Sequence, residues 1–540
     1  MTAAAGEIAC YVSPSGSDTN DGSAGKPFQT LARAQNALRN LPAKATNDIV
    51  IWLRGGDYRL ASTLTFSPAD SGGNGHLVIY RAAKGEKPIL NGGKTVTGWT
   101  VHDPAKNIWQ AQVTGADNFR QLYVNGTKAT RARSKGNMGL KPGPSGYTTG
   151  DISLQGYGNP TDMEVVSQRR PWTQGRSPIT AIAGGEISIG GHTPHPALWI
   201  ENAYEFMDKP GNWYLNRKSH TVFYIPRPGE DMKTAVIEAP VLEQLIRVDG
   251  KADAPVSNLR FEGLALRMSN WLQPGTGGGL PDNQANQMEP PVKAAIELAG
   301  ARNVVVGHCS FSDLGGNGID LNEACQKDAV FRCDFHDIAA SAVQCGSGSD
   351  KAAALPLGSG DIVSGIVISN CTIHNIGTDY PAACALFLGH VQSCTVEHNE
   401  IHAVPYTGIS LGWGHSEKKV ESSTGNRILS NKIYDHMRSL SDGGGIYCLA
   451  YQSGGLISGN YIYGQHHAFA DIYLDDGSTN WMVKSNVCKT AGGAALWLLH
   501  KGSNHRVEDI PTVTLLRTGC SPVASGSRLP RTNGTNARSF

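Results

Sequence analysis

A short pattern of a small residue, an apolar residue, any residue and a second apolar residue recurs seven times in the second half of the chain. It is read in GIDL (Gly318–Leu321), AVQC (Ala342–Cys345), ALFL (Ala385–Leu388), GISL (Gly408–Leu411), GIYC (Gly445–Cys448), DIYL (Asp471–Leu474) and ALWL (Ala495–Leu498). The first apolar residues are Ile319, Val343, Leu386, Ile409, Ile446, Ile472 and Leu496, spaced by 24, 43, 23, 37, 26 and 24. The base period is thus about 24, and the two long gaps fit insertions near Gly346–Gly365 and Gly414–Gly425. A second strand in each repeat carries an Asn (ISNCTI, EHNEIH, LSNKIY, SGNYIY, KSNVCK), which puts Asn370, Asn399, Asn431, Asn460 and Asn486 at one phase. Side chains of a strand alternate, so the apolar pair of each unit points in and the residue between them points out. An Asn repeated once per turn can stack as a ladder at a corner, and Asn tolerates left-handed backbone there. Short strands with this period describe coils of a right-handed parallel β-helix, an all-β fold. The rival, an antiparallel sandwich with chance spacing, lacks the hairpin dipeptides it needs at short intervals. Composition agrees: 65 glycines in 540 residues and 17% charged residues suit many short strands and tight turns rather than helices.

The first half reads differently. DGSAGKPFQTLARAQNALRNL is a loop followed by a helix, with Thr30 as N-cap and Leu31, Ala34, Leu38 and Leu41 on one face. A β-helix needs its open end covered, and this helix is the expected cap. Residues 1–108 then hold the cap and first coils, in DIVIWLRGGDYRL, LVIYRAA and PILNGG. From 109 to 239 the period is lost, and aromatic strands between Gly/Pro loops predict an inserted β-sandwich-like domain. The main β-helix, with the active site, is expected over 240–508, resuming near Leu245–Gly250. Pro274–Pro291 is a long loop of the kind that often has a function. At Asp509 the corner Asn is missing, so 509–540 is expected to be a tail outside the repeat, disordered or truncated.

Forty-seven basic and 46 acidic residues give a net charge of +1 with no basic block, which argues against a nucleic-acid or membrane-surface partner. No apolar run approaches the roughly 18 residues of a membrane span. Ala-rich MTAAAGEIACYV resembles the start of a mature exported chain behind an added Met, so a secreted or periplasmic location is expected. None of the 11 cysteines forms a CxxC pair; most lie in apolar strand patterns and are expected as buried free thiols. No cofactor is indicated, a structural Ca²⁺ is compatible but not called for, and the oligomeric state is open.

The outward row of the first strands runs Asp320, Gln344, Phe387, Ser410, Tyr447, Tyr473 and Trp497. Three positions on, a second row holds Glu323, His390, Trp413, Asp476 and His500. With parallel strands about 4.8 Å apart, both rows read as contiguous grooves. Aromatics mixed with carboxylates and imidazoles suit a sugar, whose rings pack on aromatic faces while polar groups read its hydroxyls. Trp413, Tyr447, Tyr473 and Trp497 are therefore expected to line subsites, with His390 and His500 as polar contacts. Two acidic motifs supply chemistry: SDGGGIY carries Asp442, and IYLDDGS carries Asp475 and Asp476. Cleaving a glycosidic bond takes two carboxyl groups, one protonating the leaving oxygen and one acting as nucleophile or base. Asp442 and Asp475 are the candidate pair. On straight strands their seven-residue offset is about 23 Å, too far to cooperate. They meet only if Gly443–Gly445 bend the chain back; otherwise Asp476, His390 or His500 must supply the second group.

The segment YVSPSGSDTNDGSAGKPFQTLARAQNALR resembles the opening of secreted bacterial β-helix glycosidases. FRQLYVNGTKATRARS and EFMDKPGNWYLNRKSHTVFYIPRPGEDM resemble the domain inserted in them. YTGISLGWG, SDGGGIY and IYLDDGS are similar to the core motifs of glycoside hydrolase family 141 and, more distantly, family 120. The resemblance spans roughly residues 10–505. It implies a right-handed β-helix with an inserted β-sandwich-like domain and exo-acting cleavage of plant-type glycans: xylan, xylo-oligosaccharide or a fucosylated glycan. It also implies Asp442 and Asp475 as the catalytic carboxylates. Asp476 stands where relatives often have Glu. Two rivals remain: a polysaccharide lyase on the same scaffold, needing a Lys or Arg base beside Ca²⁺, and a non-catalytic glycan-binding solenoid. The groove rows contain no Arg or Lys, which counts against the lyase.

Overall fold

The computed structural model describes residues 2–4, 7–39, 41, 46–116, 118–168, 170–191, 194–272, 292–467, 470–489 and 496–509. The Pro274–Pro291 loop, Cys520 and the tail beyond Asp509 lie outside them.

Each coil visits three sheets in turn. One coil runs through Asn317–Leu321, Ala329–Phe331 and Asp334–Ile338 before Val343–Cys345 returns to the first sheet one layer on. Stacking gives sheets of thirteen, ten and ten strands, parallel throughout except for the Thr2–Ala4 hairpin strand. The fold is a parallel β-helix. Register follows the repeat: Ile319, Val343, Leu386, Ile409, Ile446 and Ile472 stand one above another. All are fully buried in one continuous core. The helix Leu31–Arg39 closes one end, burying Leu31, Ala34 and Leu38 in that core, and the Thr30 hydroxyl accepts the Arg33 amide at 3.1 Å. Nine of the ten described cysteines are buried, and all ten are free thiols. Among the described residues no helix is long and apolar enough to cross a membrane.

The Asn ladder is built differently from the expectation. The Oδ1 atoms of Asn399, Asn431, Asn460 and Asn486 each accept the backbone amide of the rung before, at 2.9–3.0 Å. Their Nδ2 groups donate to carbonyls of the neighbouring coil. Asn370 is not a rung. It lies one residue earlier in phase, in the left-handed position shared by His398, Ser430, Gly459, Ser485 and Asp509. The rung sits after the turn residue, because only there does its amide face the next coil. Asp509 therefore fits the pattern, and Arg506–Glu508 still pair with Met482–Lys484.

The last coil departs from the expected register. Leu498, not Leu496, pairs with Ile472, and His500 pairs with Leu474. LWLLH is apolar at four successive positions, so alternation leaves its register open by two residues.

The inserted unit begins before residue 109. Gly93–Thr95 pairs with Ile237–Pro240, and Thr100–Asp103 with Ile108–Gln112. The alternating pattern is common to coil strands and hairpins, so it does not mark where one ends. The unit holds three small, mostly antiparallel sheets around two apolar clusters. It leaves the β-helix after Pro88–Asn91 and returns at Ile246–Asp249. That corner in later coils holds the loops 377–385, 403–408 and 437–445.

Candidate active site

Asp442 lies in the last of those corner loops. The bend comes from Asp442 itself, which takes left-handed backbone with φ 62°, and not from the three glycines, none of which has positive φ. Gly443–Gly445 are needed for closeness instead. A Cβ on Gly443 would lie 2.5 Å from Thr407 Oγ1, one on Gly444 2.5 Å from the Ala470 carbonyl, and one on Gly445 2.6 Å from Ile462. The Tyr406 hydroxyl donates to the Asp442 carbonyl at 2.9 Å and fixes the bend. Asp475 ends the strand Ala470–Leu474 and starts a turn closed by the Ser478 amide donating to its carbonyl at 3.0 Å. Gly477 supplies the φ of 76° that the turn requires.

The Asp442 carboxyl lies close enough to Asp475 to feel its charge. Asp475 accepts from the Tyr447 hydroxyl at 2.7 Å, the Tyr473 hydroxyl at 2.8 Å and Lys501 Nζ at 2.7 Å. Burial alone would raise its pKa, but Lys501 and the two phenols outweigh it and hold the carboxylate below its ordinary 3.8. Asp442 is shifted the other way: burial, then the Asp475 charge, raise its carboxyl above 3.8, with Lys501 and Tyr473 opposing in part. The Tyr473 hydroxyl donates to Asp475 and not to Asp442. Asp442 Oδ1 is buried and has no hydrogen-bond partner among the described residues.

The other candidate residues divide. Tyr447 and Tyr473 are buried, 5.2 Å apart edge to face, and act as donors to Asp475 rather than as sugar platforms. Trp413 is half-buried at the rim, packed against Phe387 on one side and the Tyr447 cluster on the other. Asp476 is at the rim with a half-exposed side chain, 3.7 Å from His415. His390 is not in the site. It is buried beneath the 346–362 and 412–425 insertions, its Nδ1 3.1 Å from Ser423 Oγ, and burial lowers its pKa to about 4. The two-residue slip removes Trp497 and His500 as well. Trp497 falls level with Asp471 and packs on the helix core, while His500 takes an inward position against His505. The same slip brings Lys501 level with Asp475, and the misplaced register hid it. Its Nζ also lies 5.2 Å over the Tyr473 ring.

The outward row is not an open groove. Asp320, Gln344, Phe387 and Ser410 are all buried. The inserted unit covers this flank: the Ser441 amide donates to the Pro171 carbonyl at 3.0 Å, and Trp172 joins the cluster of Phe387, Tyr406 and Trp413. Trp172 could not be assigned from sequence, since it is remote in the chain and carries no motif.

Residues 357–519 match the family model of the right-handed β-helix region, which fixes the hand of the fold. A solved structure titled "Glycoside hydrolase" is 27% identical with a TM-score of 0.81, covering 94% of this chain and 97% of its own. A second, "The complex structure of XylC with xylose", is 13% identical with a TM-score of 0.53, covering 93% of this chain and 75% of its own. No curated protein is significantly similar in sequence.

Proposed function

We propose that the protein is a glycoside hydrolase acting on plant-type glycan, with Asp442 as general acid and Asp475 as the ionised partner. The observation that carries this reading is a pair of neighbouring carboxyl groups in opposite surroundings: Asp475 is held by Tyr447, Tyr473 and Lys501, while Asp442 has a buried, unpartnered oxygen beside that charge, which pushes their pKa values apart. Glycosidic cleavage needs that asymmetry: a proton for the leaving oxygen on one side and a negative charge for the developing oxocarbenium ion on the other. The whole-chain likeness to a glycoside hydrolase supports the same class. We take Asp475 as the nucleophile, so that the anomeric configuration is retained, because three donors hold it ionised while Asp442 is the group kept protonated. Asp475 then attacks the anomeric carbon while Asp442 gives its proton to the leaving oxygen. Asp442 afterwards takes a proton from the water that releases the sugar.

Lys501 places a cation in the site, which a lyase would require. It is a poor base, however: burial lowers its pKa, but Asp475 outweighs that and holds the ammonium protonated. A purely glycan-binding role would not account for the opposite shifts of the two carboxyl groups.

The test is Asp442→Asn and Asp475→Asn, assayed on aryl glycosides and xylo-oligosaccharides. Each should lower kcat by about 10²–10⁴-fold or more with melting temperature near wild type. Near-normal turnover in either variant, or an inverted anomer in the product NMR spectrum, would overturn the assignment.

A further inference from the structure

Beside the site, between the inserted unit and the corner loops, lies a cavity of about 650 Å³. Its walls include Arg131, Arg133, Arg176 and Trp199 from the insertion and Tyr380 and Arg438 from the β-helix. Beneath it is a buried charge network. Arg120 holds Glu164 with a two-point contact at 2.6 and 2.7 Å; Arg131 reaches both Glu164 and Glu201; Arg176 donates to Glu201 at 3.1 Å. The surrounding guanidinium groups keep both glutamates ionised. Three guanidiniums (Arg120, Arg131, Arg176) against two carboxylates leave one positive charge uncompensated, and Lys128 with Asp379 at 2.5 Å cancels separately.

An unbalanced charge in a water-poor place is costly. Here two donors have no partner among the described residues: Arg176 Nη1 and Arg131 Nε. Arg176 is 6% exposed and packs over the Tyr380 ring at 4.9 Å. Arg133 is exposed and lies 4.7 Å over the Trp199 ring, adding a second cation at the mouth.

We propose that this cavity is a subsite for the carboxylate of a uronic acid residue in the glycan, bound by Arg176, Arg131 and Arg133. A planar guanidinium fork matches a carboxylate, and the partly exposed Trp199 ring gives a sugar ring an apolar wall. A neutral sugar would leave the surplus charge unanswered. The cavity adjoins the catalytic loop: Pro405 and Ser439 line it, next to Tyr406 and three residues before Asp442. The inference rests on the glycosidase reading and narrows its substrate to acidic glycans.

The experiment is calorimetric titration of galacturonic acid, glucuronic acid, xylose and inorganic phosphate into the full-length protein, and into Asp442→Asn, Arg176→Lys, Arg133→Gln and Trp199→Phe. A uronate is expected to bind at least 10-fold more tightly than xylose or phosphate. Binding should persist in Asp442→Asn and quench the fluorescence of wild type but not of Trp199→Phe. It should fall at least 10-fold in Arg176→Lys and several-fold in Arg133→Gln, which lies outside the buried network and keeps the test valid if Arg176→Lys misfolds. No uronate binding, equal binding of phosphate, or unchanged affinity in both folded arginine variants would overturn the assignment. Uronate binding by a protein that cleaves no glycoside would uphold the subsite and defeat the hydrolase reading.

Discussion

Asp442 and Asp475 carry the same functional group and differ in what surrounds it. Three donors converge on Asp475, while Asp442 has a buried oxygen without a partner and a negative neighbour. The pH dependence follows. In the proposed mechanism Asp475 acts ionised, so activity is expected to be lost as pH falls through a value below the ordinary 3.8 of a carboxyl group. Asp442 acts protonated in the same mechanism, so activity is expected to be lost as pH rises through a value above 3.8. The profile of kcat/KM against pH is therefore expected to be a bell. Lys501 lowers both carboxyl values, so Lys501→Met should move both limbs to higher pH. An unmoved acidic limb would mean that Lys501 does not tune Asp475. At this scale the two motifs were legible, since a carboxylate before a glycine run and another at a strand end are local features. Lys501 was not, because its role depends on which residue of the previous coil it faces.

The corner ladder shows how one element can hold residues that look alike and do different work. Asn431 is buried, and its amide links the Asn399 backbone, the Val396 carbonyl and Asn460. Asn431→Ala strands several of these groups at once and should cost at least about 3 kcal/mol at about 1–3 kcal/mol for each buried group left unpaired. Asn370 is exposed and serves its left-handed backbone, with φ 55°. Asn370→Gly should therefore change stability by less than about 0.5 kcal/mol. Urea unfolding of both variants checks this; equal losses would refute the distinction. The repeat revealed the ladder's existence, but one position of phase separates a rung from a turn residue, and five short motifs cannot resolve that. The same ambiguity, in apolar form, misplaced Trp497 and His500.

The molecule as a whole turns an exposed sheet face into a pocket. The insertion leaves the coil stack at the corner from which Asp442 later projects, so it lies along that edge. Arg120 clasps the Tyr380 hydroxyl at 3.0 Å, Lys128 pairs with Asp379, and Trp172 comes to rest near Trp413. If the insertion forms one wall for the sugar, Trp172→Ala should raise KM about 10-fold, the equivalent of about 1.4 kcal/mol of lost contact, with kcat and melting temperature little changed. Steady-state kinetics decide it, and an unchanged KM would confine substrate recognition to the β-helix.

Sequence alone determined the coil, because a period near 24 with alternating apolar positions has one economical way to bury its side chains. It also marked the two acidic motifs, whose chemistry is carried by residue type. The tertiary structure decided which groups meet. Asp442 reaches Asp475 through its own left-handed backbone, Lys501 arrives through a register that an all-apolar strand leaves open, and Trp172 and the arginines come from a unit folded back over the flank. Those contacts join residues far apart in the chain, and local pattern records only which way each side chain faces, not what stands opposite.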